Sequence, residues 1–230
     1  MDAFRLPGFA VRTHGFPFPN CFPAGSPVVD VATPLGRIRI GDAALGLCGG
    51  MVFAAMDLYS HGEARVSDDA TLPVVRYLCR RLLDSWTLPF GVLKYYDWQR
   101  RPGATKFLAG IRVYDGLMRL TILEEWPKIR AQLDGGRPVA LGLVNSEGYG
   151  WKALIRNHQV LCYGYDCDES SHEVTLAIYD PNYPGDDTAA LTFRTDDPDA
   201  ERRIVHSCEG ATVRGIFSTE YRRPPEAPLI

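Results

Sequence analysis

The sequence predicts an α+β protein in which an N-terminal helical lobe is followed by an antiparallel β-lobe. Two observations lead to this prediction. Apolar residues recur at helical spacing in the first half of the chain, most clearly from Thr71 to Trp86. After Gly135-Gly136 the pattern changes to short apolar runs separated by polar turns, as in strands. We therefore expect the 230 residues to form one domain with a cleft between the two lobes.

Composition limits the functional classes open to this chain. Hydrophobic residues make up 46% and charged residues 23%, as in an ordinary globular protein. The net charge of −3 and the lack of a basic stripe argue against a nucleic-acid partner. No apolar run approaches the roughly 20 residues that cross a bilayer, and no secretory signal is visible, so we expect no membrane partner. The 6 cysteines form no CxxC pair, which favours reduced thiols and a cytoplasmic location.

The first segment, residues 1–35, is rich in proline, glycine and phenylalanine and shows little periodicity. Frequent proline disfavours helix. We expect this segment to be an extended arm that wraps over the surface, with its phenylalanines held in grooves.

The helical lobe is expected to cover residues 36–134. A brief alternation at Gly36–Gly41 predicts a short strand, and the polar, aromatic residues 94–106 predict a loop. A further helix is predicted from Tyr114 to Leu133. It should break near Glu125-Trp126, since the proline that follows disfavours helical backbone just before it.

The β-lobe is expected to cover residues 135–230. Its candidate strands are short apolar or alternating runs bounded by polar turns. They lie at residues 138–144, 159–166, 173–180, 190–194 and 212–218.

A candidate nucleophile begins the most apolar of the predicted helices, in Gly46-Leu47-Cys48-Gly49-Gly50-Met51. From Met51 to Tyr59 the only charge is Asp57, so this helix belongs inside the fold. The glycines allow a sharp turn and the close approach of another molecule. A helix N-terminus carries about half a positive charge and free N–H groups, which favour a thiolate and can hold an oxyanion. The alternative is that Cys48 is a small core residue, as most cysteines are.

Two residues of the β-lobe complete a catalytic set. His158 begins an apolar strand, and Asp180 ends the next one, before Pro181-Asn182. Each alone is a common structural feature. Together, Cys48, His158 and Asp180 supply the nucleophile, the base and the orienting group that thiol catalysis needs. If the two strands form an antiparallel hairpin, the start of one lies beside the end of the other.

These segments resemble the papain-like cysteine peptidase superfamily, and more closely its C39-like bacterial branch. The resemblance spans about residues 40–195 and implies a papain-like fold with Cys48, His158 and Asp180 as a catalytic triad. It implies a peptidase or amidase that acts on a peptide or amide substrate through a thioester acyl-enzyme. The matching segments are Gly46–Met51, Asn157–Asp166 and Ile178–Asn182.

The chain departs from this family where an oxyanion hole is expected. Relatives usually carry a glutamine about six residues before the cysteine, and here that position is Asp42. A carboxylate would repel an oxyanion unless it is protonated. The helix-terminal N–H groups, including that of Gly49, are the other oxyanion candidates. Asn182 is a candidate substitute for the orienting residue.

Other functions fit the same residues. The triad would also support acyl transfer or deamidation, because all three reactions pass through a thioester. A catalytically inactive papain-like module that binds a protein partner is an alternative of a different class. We expect no metal or cofactor, since the acidic stretch 180–187 lacks the EF-hand spacing and Cys162 and Cys167 lack a second ligand pair.

Overall fold

The structure is a computed structural model that describes residues 2–22, 29–33, 36–40, 46–86, 90–148, 156–208, 210 and 212–230. It contains both helices and antiparallel sheet, which confirms the mixed composition expected from the sequence. The helices are α1 (Val11–His14), α2 (Cys48–His61), α3 (Leu72–Ser85), α4 (Phe90–Arg100), α5 (Leu117–Leu120) and α6 (Trp126–Asp134), with a π-helical turn (Thr121–Glu125) between the last two.

The described parts of the chain contain twelve strands, β1 to β12. They are β1 (Asp2–Arg5), β2 (Val29–Thr33), β3 (Gly36–Ile40), β4 (Lys106–Leu108), β5 (Ile111–Tyr114), β6 (Val139–Val144), β7 (His158–Asp168), β8 (Glu173–Tyr179), β9 (Ala190–Arg194), β10 (Ile204–His206), β11 (Thr212–Val213) and β12 (Gly215–Thr219). The main sheet has the order β11-β10-β9-β8-β7-β6-β12, and β1 also pairs with β7. The pairs β2-β3 and β4-β5 form separate hairpins.

The longest strand of the main sheet is β7. Its first part pairs with β6, with His158 opposite Leu143, and its last part pairs with β1, with Asp166 opposite Ala3. Every residue of β6 is buried, which explains why its sequence is continuously apolar rather than alternating. Four of the five expected strands of the β-lobe are therefore present. The single strand expected at 212–218 is wrong, because β11 pairs with β10 and β12 pairs with β6, at opposite ends of the sheet order. The strand β10 is an addition that the pattern did not indicate.

Helix α2 is apolar on nearly all sides because it lies between α3 and the sheet. Met51, Ala54 and Leu58 pack with α3. On the opposite side, Val52 and Phe53 pack against sheet residues that include Ala140, Leu161 and Tyr179. The N-terminus of α2 is thereby held against β7.

Gly49 and Gly50 allow this close packing of α2. A Cβ atom on Gly50 would lie 2.1 Å from the Leu78 carbonyl oxygen of α3, and one on Gly49 would lie 2.1 Å from Gln159 Oε1 of β7. The close approach expected at these glycines is therefore made by the same chain, by α3 at Gly50 and by β7 at Gly49. Of the three glycines around Cys48, only Gly46 has a positive φ, of 56°, so it is the one that a turn requires.

Gly50→Ala is expected to lower the free energy of unfolding by at least about 1–3 kcal/mol, because the methyl group meets backbone of α3 that cannot move aside. Urea unfolding followed by circular dichroism measures the change. Gly135→Ala is the control, since its Cβ would meet no atom closer than 3.3 Å. Equal unfolding midpoints for the two variants would contradict this account of the α2–α3 contact.

A buried ion pair fastens α2 to α3 and to the C-terminal segment. Asp57 is fully buried, and its carboxylate accepts hydrogen bonds from Arg81 Nε at 2.8 Å and Arg81 Nη2 at 3.0 Å. The hydroxyls of Tyr77 and Tyr221 donate to the same carboxylate at 2.8 and 2.7 Å. Arg81 Nη2 also donates to the carbonyl oxygen of Arg222 at 3.0 Å. The single charge in the apolar helix is thus fully paired.

Two expectations for the helical lobe need correction or refinement. The prediction of a loop over residues 94–106 is wrong for its first part, because α4 extends to Arg100. Tyr95 and Trp98 of α4 pack with Phe217 of β12. These tertiary contacts stabilise a helix that its mixed polar and aromatic sequence did not indicate. The helical span that follows Gly116 does change character between Glu125 and Trp126, where the π-helical turn ends and α6 begins.

The N-terminal arm is more structured than expected. Residues 2–5 form a strand of the main sheet, and residues 11–14 form a short helix. Phe16 and Phe22 are buried among residues of α2 and α3, as expected for side chains held in grooves. None of the described helices combines the length and the apolar character needed to span a membrane.

Candidate active site

His158 and Asp180 meet because β7 and β8 form an antiparallel hairpin. His158 is the first residue of β7, and Asp180 directly follows β8. Leu161 pairs with Tyr179, which sets the start of one strand beside the end of the other. His158 Nε2 lies 2.7 Å from Asp180 Oδ1. The hairpin predicted from the sequence is present.

Cys48 reaches this pair from the helical side. It is the first residue of α2, is partly exposed, and lies close enough to His158 for the imidazole to lower the pKa of its thiol. Because Nε2 of His158 faces Asp180, Nδ1 is the ring nitrogen left for the sulfur. The backbones of Gln159 and Gly49 also contact the sulfur. The three residues proposed from the sequence are therefore in one place.

The electrostatics of the pair have the sign that a thiolate–imidazolium ion pair requires. Burial alone would raise the pKa of Cys48, but the charge and hydrogen bond of His158 and the backbone N–H groups of Gln159 and Gly49 lower it below its usual value. Burial alone would lower the pKa of His158, but Cys48 and Asp180 raise it to about 10.

Buried cysteines elsewhere in the chain show the opposite behaviour. Burial raises the pKa of Cys79 to about 11 and that of Cys162 to about 12. Burial also raises the pKa of the less buried Cys167 and Cys208. An imidazole that lowers the pKa of the thiol is what distinguishes Cys48 from these thiols.

Asp180 is a fully buried carboxylate with donors on both oxygens. Oδ1 accepts from His158 and from the Asn182 N–H at 2.8 Å, and Oδ2 accepts from His206 Nε2 at 2.9 Å. Burial alone would raise the pKa of Asp180, but the hydrogen bonds from the two histidines hold it well below its usual range. The carboxylate stays ionised where it faces His158.

His206 belongs to the candidate site and was not selected from the sequence. It lies on β10, a strand of three residues with charged neighbours on its N-terminal side, and such a short run gives almost no periodic signal. Ile204 and His206 are buried and Val205 is exposed, an alternation that the residue types themselves do not show. Its partner Asp180 is 26 positions away, so no local motif connects the two residues.

Asn20, in the N-terminal arm, was also missed. Its Oδ1 accepts the Leu47 N–H at 2.5 Å, and its own N–H donates to the Pro181 carbonyl oxygen at 2.9 Å. Asn20 therefore connects the start of α2 to the turn after Asp180. The arm thus contributes to the alignment of the two halves of the site.

The remaining predicted residues have different outcomes. Asn182 was a candidate orienting side chain, but Asp180 occupies that place, and Asn182 contributes its backbone N–H while its side-chain oxygen faces Asn20. Gly49 lies against the sulfur through its backbone, as an N–H donor. Asp42 lies outside the described residues.

The acidic stretch after Asp180 behaves as an ordinary turn. Asp186 Oδ1 accepts hydrogen bonds from the backbone N–H and the hydroxyl of Thr188 at 2.8 and 2.7 Å. Over the residues that the structure describes, no group of three His, Cys, Asp or Glu side chains is arranged to hold a metal ion.

The arrangement can carry out nucleophilic attack by a thiolate, with proton transfer by a neighbouring imidazole. The N–H groups of Cys48, Gly49 and Gly50 precede the first backbone hydrogen bond of α2, from Met51 N to Leu47 O at 2.9 Å. They are thus free of helical partners, as at any helix N-terminus. No protein-family model matches the chain, and neither a curated protein nor a solved structure matches it.

Proposed function

We propose that the chain is a papain-like cysteine hydrolase that cleaves a peptide or amide bond through a thioester acyl-enzyme. The observation that carries the proposal is the juxtaposition of Cys48, His158 and Asp180. A thiol at the start of a buried helix lies beside an imidazole that lowers its pKa, and that imidazole lies 2.7 Å from a buried carboxylate. A thiol, an imidazole and a carboxylate in this order fit the roles of nucleophile, base and orienting group.

The proposed reaction begins with attack of the Cys48 thiolate on the carbonyl carbon. The oxyanion that forms is stabilised by N–H groups at the start of α2, Cys48 N–H among them. His158 then gives its proton to the leaving nitrogen, the C–N bond breaks, and the thioester remains. Water then attacks the carbonyl carbon of the thioester, and His158 accepts the proton that the water molecule loses. The acid product leaves, and the thiolate–imidazolium pair is restored.

The pH dependence of alkylation tests the proposal without a known substrate. Iodoacetamide reacts with thiolates, so its rate at each cysteine reports ionisation. We expect Cys48 to react at pH 6 at least about tenfold faster than Cys21, an exposed thiol on the same chain. Peptide mass spectrometry after short exposure measures both rates in one sample.

Removal of the imidazole should abolish this difference. In His158→Asn, alkylation of Cys48 at pH 6 is expected to fall about 100-fold, since an ordinary thiol with a pKa near 8.5 is less than about 1% ionised there. His172→Asn, in the exposed turn of the same hairpin, is the matched control. Asparagine tolerates the positive φ of 56° at that position. If Cys48 titrated as a plain surface thiol in both the wild type and His158→Asn, the proposal would be wrong.

A further inference from the structure

The Asp180 carboxylate lies between two imidazoles. His158 contacts Oδ1 at 2.7 Å, and His206 contacts Oδ2 at 2.9 Å. The side chains of Asp180 and His206 are 0% and 2% exposed, so water does not substitute for either contact. The catalytic scheme above accounts for the first imidazole and leaves the second without a role.

The hydrogen bonds of His206 determine which ring nitrogen carries its proton. The Cys208 N–H donates to His206 Nδ1 at 3.2 Å, so Nδ1 is an acceptor. A neutral imidazole then carries its proton on Nε2, where it is donated to Asp180. His206 thus faces Asp180 with its Nε2–H as the donor.

The backbone around His206 is fixed by the sheet. His206 pairs with Leu191 of β9, and the next residue, Ser207, donates its N–H to Ala190 at 3.0 Å. The Ser207 hydroxyl oxygen accepts the Ala190 N–H at 2.9 Å. Asp180, by contrast, lies just beyond the end of β8. Strand pairing therefore fixes the position of His206, and the hydrogen bond from His206 holds the Asp180 carboxylate, which lies on a turn.

We propose that His206 is a positioning residue, which holds Asp180 ionised and turned so that Oδ1 faces the imidazole of His158. The inference rests on the proposed function, because it assigns His206 a part in the reactivity of Cys48. Without His206, Oδ2 would be a buried acceptor with no donor, a costly arrangement. The carboxyl would then rotate or take up a proton, and His158 would lose its anionic partner.

The test compares His206→Leu with His206→Gln. Leucine fills space but donates nothing, whereas the glutamine amide N–H can reach the place of Nε2. The measurement is the rate of Cys48 alkylation by iodoacetamide between pH 4.5 and 8, on protein whose folding is checked by circular dichroism. The ionisable groups that face the site from the elements packed around it include Cys48, Tyr95, His158, Tyr179, Tyr183, Asp186 and Cys208.

In His206→Leu, the acid limb of the Cys48 profile should move to higher pH by about one unit, which is about a tenfold slower reaction on that limb. In His206→Gln the rates should stay within about threefold of wild type. His14→Leu removes another buried histidine, whose Nδ1 lies 3.1 Å from the Ala10 carbonyl oxygen, and should leave the profile unchanged. A merely structural role would not produce a shift that glutamine reverses.

Several outcomes would overturn the inference. A folded His206→Leu protein with the wild-type profile would do so, as would equal shifts in the leucine and glutamine variants. If His206→Leu does not fold, His206→Asn, whose amide is too short to reach Oδ2, takes its place under the same criteria. A wild-type Cys48 that titrates as a plain surface thiol would overturn the proposed function as well. An ionised wild-type Cys48 with unchanged His206 variants would overturn the positioning role alone.

Discussion

Replacing Asp180 by asparagine is expected to slow the acylation of Cys48 by about 10²- to 10⁴-fold while the protein stays folded. Asp180 accepts from His158 and the Asn182 N–H on one oxygen and from His206 on the other. A carboxamide offers one oxygen, so in either orientation its NH₂ group faces a donor. The substitution also removes the charge that stabilises the imidazolium of His158.

Release of p-nitrophenolate from p-nitrophenyl acetate measures this acylation directly. The Cys48→Ala protein gives the background from other nucleophiles. Asp187→Asn, exposed in the same turn, is the matched control and should react at the wild-type rate. An Asp180→Asn protein that is acylated as fast as wild type would contradict the role proposed for the carboxylate.

The pKa of Asp180 also determines where its ionisation stabilises the fold. Its folded-state pKa lies below the ordinary value near 3.9, so the ionised carboxylate stabilises the fold at every pH above about 3.9. That stabilisation is lost only as the pH falls through the folded-state pKa. Acylation and alkylation rates measured above pH 4.5 therefore reflect the reactivity of Cys48 and not unfolding caused by protonation of Asp180.

Replacing Arg81 by methionine is expected to lower the free energy of unfolding by about 3–5 kcal/mol. The variant leaves Asp57 as a buried carboxylate without its cation. Burial raises the pKa of Asp57, so its ionised form depends on Arg81 and on the hydroxyls of Tyr77 and Tyr221. The guanidinium also lies 5.2 Å from the ring centre of Phe53, and that contact is lost too.

Urea unfolding at pH 7 measures this loss. Arg80→Met, at the exposed neighbouring position of α3, should change the free energy of unfolding by less than about 0.5 kcal/mol. The double variant Asp57→Asn/Arg81→Met should recover part of the loss, because no unpaired charge remains in the core. If Arg81→Met were no less stable than Arg80→Met, the buried pair would not be what fastens α2 to α3.

Several local features of the fold could be predicted from the sequence, whereas features that depend on long-range contacts could not. The β7–β8 hairpin was predictable because two apolar runs flank one polar turn, and the catalytic residue types lie at their ends. The burial of α2 was predictable from its composition alone. Cys48, His158 and Asp180 could therefore be selected by residue type and order in the chain.

Features that depend on distant contacts could not be predicted in this way. Helix α4 has a mixed polar and aromatic surface, and its position becomes clear only once Tyr95 and Trp98 meet Phe217. His206 becomes significant only when β10 joins the sheet at β9. Asn20 lies in a segment without periodicity, and its role follows from two backbone partners that are far away in the chain.

The members of the candidate active site differ in how far apart they lie along the chain. His158 and Asp180 are 22 positions apart within one hairpin, whereas Cys48 lies 110 positions before His158. The entropic cost of closing a loop grows with its length, at about 0.6 kcal/mol for each doubling. The base and its carboxylate can thus associate within a small unit, while the sulfur joins them only when α2 docks on β7. Until that docking occurs the sulfur lacks the imidazole that lowers its pKa, so the full reactivity proposed for Cys48 is a property of the complete fold.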